Sequence, residues 1–116
     1  MLDLSLVFVQ MKLIEDCLNR NVRLTDERIQ HIKENHPEFG KSDFDDKIIN
    51  TLQSPEFIIA SISDETVELF YKYYLNTPVG DKWLCIVVKN LSTDFFIITL
   101  YYTDSIKKGK EIWKKP

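Results

Sequence analysis

From Phe57 to Tyr102 the chain consists of strongly β-forming runs separated by short polar turns, and this pattern leaves few folds open. The runs are 57–62, 67–75, 83–89 and 95–102, rich in Val, Ile, Phe and Tyr. Ser63-Asp64-Glu65, then Asn76 to Asp81 with Pro78 and Gly80, then Asn90 to Asp94 supply the breaks. Turns this short join neighbouring strands, so the segment reads as an antiparallel meander. Strict alternation puts Val67, Leu69, Tyr71 and Tyr73 on one side of the second run, and Glu68, Phe70, Lys72 and Tyr74 on the other. In the last run Phe96, Ile98, Leu100 and Tyr102 share one side, and Phe95, Ile97, Thr99 and Tyr101 share the other. Both sides are largely apolar, which implies cover on two faces or one ligand-binding face. Lys72, Lys89, Thr99 and Tyr101 are expected to converge on that second face if the register permits.

Two helices precede the strands. Thr25 offers an N-cap, with Asp26 and Glu27 in the first turn where the helix dipole favours negative charge. Ile29 and Ile32 share one face of a helix over 26–35, and Pro37 disfavours helical geometry at His36, ending it there. Ser42 is the expected cap of a second helix over 43–53, in which Phe44, Ile48 and Leu52 recur at four-residue intervals as a buried stripe. Leu13 to Leu24 reads as a short hairpin turning at Asn19-Arg20-Asn21. The expected fold class is therefore α+β: two N-terminal helices packed on one face of an antiparallel sheet of about four strands.

A chain of 116 residues with 44% hydrophobic residues can build one core without disulfide staples. Cys17 and Cys85 stand apart from each other and from any His cluster, which fits free thiols in a reducing, cytoplasmic compartment better than a disulfide or zinc site. Leu4 to Val9 is apolar but far too short to span a bilayer. Residues 1–12 are read as a leader from an over-long start, a partner-binding segment or an extra edge strand, and 13–116 as the domain. Residues 1–81 hold eight Lys/Arg against fifteen Asp/Glu, whereas 82–116 hold seven Lys against three acids. An acidic protein can thus carry a local cationic surface.

Few residues carry recognisable chemistry. His31 and His36 are the two histidines, about 140° apart around a helix, so they are not a zinc pair at i, i+4. His36 falls at the negative end of its helix dipole, a place that suits either a capping imidazole or a general acid. Lys107, Lys108 and Lys110 with Trp113 follow the last run, and serve either as a solubilising tail or as phosphate contacts with a stacking ring. There is no phosphate-binding glycine loop, nucleophile elbow or paired catalytic carboxylate, and no cofactor is implied.

Val22 to Arg28, His31-Ile32 and His36-Pro37-Glu38, followed by Ile97 to Tyr102, Ile106 to Gly109 and Glu111 to Trp113, together resemble the phage- and toxin-associated barnase–EndoU–colicin–RelE-like (BECR) nuclease family over residues 13–113. The resemblance implies a metal-independent endoribonuclease, a toxin or phage-derived effector, in which the ribose 2′-hydroxyl attacks its own phosphate. By that pattern His36 is the general acid and His31 the base or a positioning group. Lys72, Lys89, Thr99 and Tyr101 complete the catalytic set, and Lys107, Lys108 and Trp113 bind substrate. RNA is the expected partner, with an antitoxin or immunity protein as a second. The alternative is a non-catalytic protein- or RNA-binding module on the same fold.

Overall fold

A computed structural model of the protein describes residues 11–39 and 43–116. The elements run β1 (Met11–Glu15), β2 (Asn21–Thr25), α1 (Asp26–Asn35), a 3₁₀ turn (Pro37–Phe39), α2 (Phe44–Gln53), β3 (Phe57–Ser61), β4 (Val67–Thr77), β5 (Gly80–Asn90), β6 (Phe95–Thr103) and β7 (Gly109–Lys114). The seven strands of the described residues join one sheet, in the order β1-β2-β6-β5-β4-β3-β7. This overturns the four-stranded antiparallel expectation: the sheet is mixed, because β2 runs parallel to β6 through Val22–Phe95 and Arg23–Phe96. The β3 to β6 meander is present, but the β1–β2 hairpin extends it on one side and β7 on the other. In sequence β7 has the look of a lysine tail, because Gly-Lys-Glu-Ile-Trp-Lys has the charged surface of an edge strand and little of a strand's apolar alternation. The hairpin includes Met11, which pairs with Thr25. The apolar run at Leu4 to Val9 and the expected cap Ser42 lie outside the described residues.

Both helices of the described residues form as their sequences require and share one face of the sheet. Thr25 Oγ1 accepts a hydrogen bond from Arg28 N at 3.1 Å, and His36 N closes the C-terminus on Ile32 O at 2.8 Å. Ile32 from α1 and Phe44, Ile48 and Leu52 from α2 pack on Ile58, Phe70, Leu84, Ile86, Val88, Ile97 and Leu100. Leu52 is fully buried, and truncating such a side chain to alanine costs about 2–5 kcal/mol.

The sheet's other face carries a smaller cluster of Ile59, Leu69, Tyr71 and Cys85, with Phe57, Val67, Trp83, Val87 and Tyr101 around it. β6 lies three strands away from β3, whose outer side β7 occupies, so residues 104–108 cross this face. Ile106 seats in the small cluster, and Lys107 N donates to Tyr71 Oη at 3.1 Å. Strict alternation fails within β6. Thr99 pairs with Val87 but Ile97 with Val88, so Ile98 is an extra residue. The bulge turns Phe95 and Ile97 to the helix side along with Leu100 and Tyr102, and leaves Thr99 and Tyr101 on the opposite face.

A buried ion-pair network ties the β1–β2 turn to the middle of the sheet. Arg20 forks onto Glu68 (2.6 and 3.2 Å) and donates Nε to Asp16 at 2.9 Å. Asn90 Nδ2 adds a bond to Glu68 at 2.8 Å, and the guanidinium lies 4.6 Å from the Phe95 ring centre.

Candidate functional site

α1 follows β2 without a break and packs against β6, whose outer edge loses its strand partner after Phe96. Two small pockets mark the ends of this seam. At the N-terminal end of α1, Arg23, Thr25 and Arg28 meet Phe96 and Ile97 around about 160 Å³. At the C-terminal end, His36 and Glu38 meet Tyr101, Tyr102 and Thr103 of β6, with Val79, Lys82 and Asp104, around about 270 Å³. The second pocket holds the more usable chemistry. His36 Nδ1 is 3.4 Å from Glu38 Oε1, and the imidazole meets Phe39 edge-on at 6.0 Å. With Glu38 beside Nδ1, Nε2 is the ring nitrogen left without a carboxylate neighbour among the described residues. Lys82 Nζ is held by Asp104 at 2.6 Å.

The other expected site residues do not join this group. His31 is exposed on α1, where Asn35 Nδ2 lies 3.2 Å from its Nε2, and it lines a separate surface hollow with Thr25, Arg28 and Glu34. Lys72 lies on the helix side and donates to Ser54 O at 2.8 Å, so it does not share a face with Lys89, Thr99 and Tyr101 as expected. The reason is its own strand's alternation: Lys72 follows Phe70, which is committed to the main core. Lys89 is on the opposite face, engaged with Asp64 at 3.0 Å and Thr66 Oγ1 at 2.6 Å. It stands four residues along β5 from Cys85, the partner of Tyr101, or about 13 Å at the strand rise. Thr99 lies on that face between them. Trp113 pairs with Ile58 and packs into the main core, away from solvent-facing lysines. Lys108 is exposed in the crossing segment, and Lys107 Nζ sits 5.8 Å from the Tyr101 ring centre.

Tyr101 is one of the residues around the His36 pocket, while its hydroxyl is buried and has no hydrogen-bond partner among the described residues. Its polar neighbours are Cys85 and Tyr71. Burial pushes the Cys85 thiol up to about 11 and the Tyr71 phenol up to about 12, and it raises Tyr101 as well. All three stay protonated at neutral pH, so Cys85 is no thiolate nucleophile. Among the described residues no three His, Cys, Asp or Glu side chains gather as a metal ion would need.

Glu38, Arg28, Lys82 and Asp104 escaped the sequence reading. Glu38 was within reach, two residues after His36. Arg28 stands three positions before His31 on the same helix face. Lys82 could not be placed, because only the β4–β5 register carries it to the end of α1. No family model, curated protein or solved structure matches the chain. Among the described residues no helix is long and apolar enough to cross a membrane.

Proposed function

We propose that the protein is a metal-independent endoribonuclease working at the C-terminal end of the α1–β6 seam, as a toxin or phage-derived effector. The observation that carries this reading is the pocket in which His36, backed by Glu38, faces Lys82 and Asp104. RNA cleavage through the 2′-hydroxyl needs an acid, a base and a cation at the phosphorane. A phosphate entering the pocket competes with Asp104 for Lys82. The released carboxylate takes the 2′-hydroxyl proton as that oxygen bonds to phosphorus. His36, entering the step as the imidazolium, gives its Nε2 proton to the departing 5′-oxygen as that P–O bond breaks, and a cyclic phosphate results. Arg28 and His31, further along α1, are placed for flanking phosphates. The resemblance to BECR nucleases supports the same chemistry, and Lys72 has no part in it.

The test is cleavage of an all-ribose strand in the presence of a chelator, with the deoxyribose strand inert. His36→Ala should slow cleavage by about 10²- to 10⁴-fold, and growth arrest on expression should disappear with it. Absence of cleavage, or full activity in the variant, refutes the assignment. The confinement of the Tyr101 hydroxyl and the dispersal of Lys72 and Lys89 favour a second reading, a non-catalytic RNA- or protein-binding module. Binding without cleavage would select it.

A further inference from the structure

The face opposite the helices ends in an aromatic row beside the His36 pocket. Tyr73 pairs with Trp83, and Trp83 pairs with Thr103, which lines that pocket. The Trp83 ring centre is 5.1 Å from Tyr73 at a 71° inclination, 5.3 Å from Phe57 and 6.4 Å from a perpendicular Tyr71. Tyr73 remains 42% exposed although it sits mid-sheet among large rings. Core aromatics on a covered face have no reason to stop at a solvent-facing tyrosine, and the crossing segment covers only the neighbouring cluster around Ile106.

Charge identifies the occupant. Residues 104–115, which cross and border this face, carry Lys107, Lys108, Lys110, Lys114 and Lys115 against Asp104 and Glu111, in a protein of net charge −3. The exposed ring of Tyr73 and the half-buried ring of Trp83, on a face bordered by lysines and next to a phosphate-sized pocket, match a polyanion that also presents flat π-surfaces. We propose that Tyr73 and Trp83 form a base-stacking platform, so that the substrate is single-stranded RNA with an unpaired base against Trp83 while its phosphate reaches His36. The inference rests on the endoribonuclease reading for the position of that phosphate. Unpaired nucleotides are required because a duplex keeps its base faces stacked inside and offers a protein only groove edges and backbone.

A 2′-O-methyl oligonucleotide cannot be cleaved through the 2′-hydroxyl, and so reports binding alone. The protein has two tryptophans, so a Trp113→Phe variant leaves Trp83 as its only indole. Single-stranded 2′-O-methyl oligonucleotide should quench its emission, and the matching duplex should bind at least ten-fold more weakly. Tyr73→Leu, which alters an exposed ring, and Trp83→Leu should each weaken binding by about 5- to 150-fold. Tyr73→Leu is read by affinity in the otherwise unaltered protein, so it holds even where a tryptophan substitution disturbs folding. Equal affinity for duplex, unquenched emission, or full affinity in Tyr73→Leu overturns the platform and leaves this face to a protein partner. Cleavage of an all-ribose strand is scored in parallel. Cleavage without stacking rejects the platform and keeps the nuclease; stacking without cleavage keeps the platform and rejects the nuclease.

Discussion

Replacing Arg20 by methionine should be among the most destabilising single changes in this protein. The guanidinium neutralises two carboxylates whose side chains are 0% (Asp16) and 5% (Glu68) exposed, while its own is 18% exposed. Methionine keeps most of the packing volume over Phe95 but leaves both carboxylates buried without a counter-charge. Breaking one partner of a buried pair costs about 3–5 kcal/mol, because the stranded charge keeps its desolvation penalty. At about 2.1 cal/mol/K of unfolding entropy per residue, 116 residues lose about 4 °C in Tm for each kcal/mol, so the variant should melt about 12–20 °C lower. Far-UV circular dichroism during a thermal scan measures this directly. The triple variant Asp16→Asn, Arg20→Met, Glu68→Gln should recover most of the loss. Asparagine keeps an oxygen for the Leu18 and Arg20 amides that now bond Asp16 at 2.9 Å. A drop of under about 4 °C in Arg20→Met, or no recovery in the triple variant, would refute the claim that uncompensated charge dominates.

The Asp64 carboxyl is lowered to about 2, first by the Thr66 hydroxyl and then by Lys89. Its contribution to stability is therefore complete above about pH 4 and fades as the pH falls toward 2; carboxyl NMR should show Thr66→Val raising the midpoint more than Lys89→Met. Cys85, pushed up to about 11 by burial, should resist a thiol reagent at pH 8 until the protein unfolds, while half-buried Cys17 reacts first. Gly109→Ala would drive its methyl into Ala60 O and to 2.5 Å from Ile59 Cγ2, so β7 must shift away from β3. Hydrogen exchange should show lost protection along β7, with a stability loss of about 1–3 kcal/mol.

The helices were legible because their signals are local. Thr25 with Asp26 and Glu27, the Phe44–Ile48–Leu52 stripe and Pro37 each act within a few residues of themselves. The four meander strands were legible for the same reason. What the sequence does not declare is pairing between distant segments. Nothing in Val22-Arg23 announces a parallel contact with Phe95-Phe96, and Gly109–Lys114 becomes a strand only because β3 has a free edge for it. The candidate site divides along the same line. His36 and Glu38 are neighbours in sequence and were within reach, while Lys82 arrives through the β4–β5 register and Trp83 with it. Trp113, expected at the substrate, meets the core for this reason: only its pairing with Ile58 decides which side of the sheet it joins.

The bulge at Ile98 shows how one such distant constraint shapes the proposed site. Leu100 and Tyr102 must face the helices, since Tyr102 stacks on Phe39 at 4.7 Å and its hydroxyl accepts from Lys47 Nζ at 3.0 Å. Unbroken alternation from there would send Ile98 and Phe96 inward, and Ile97 and Phe95 outward. The extra residue reverses that for the start of the strand. Phe95 then lies under Arg20 of the buried network, and Phe96 turns toward Arg23, whose guanidinium is 5.1 Å from its ring centre. One residue therefore keeps both ends of β6 in the same helix-side core. It also leaves Tyr101 and Thr103 next to His36 while Phe96 and Ile97 stand next to Arg28, so both ends of the α1 seam acquire a pocket.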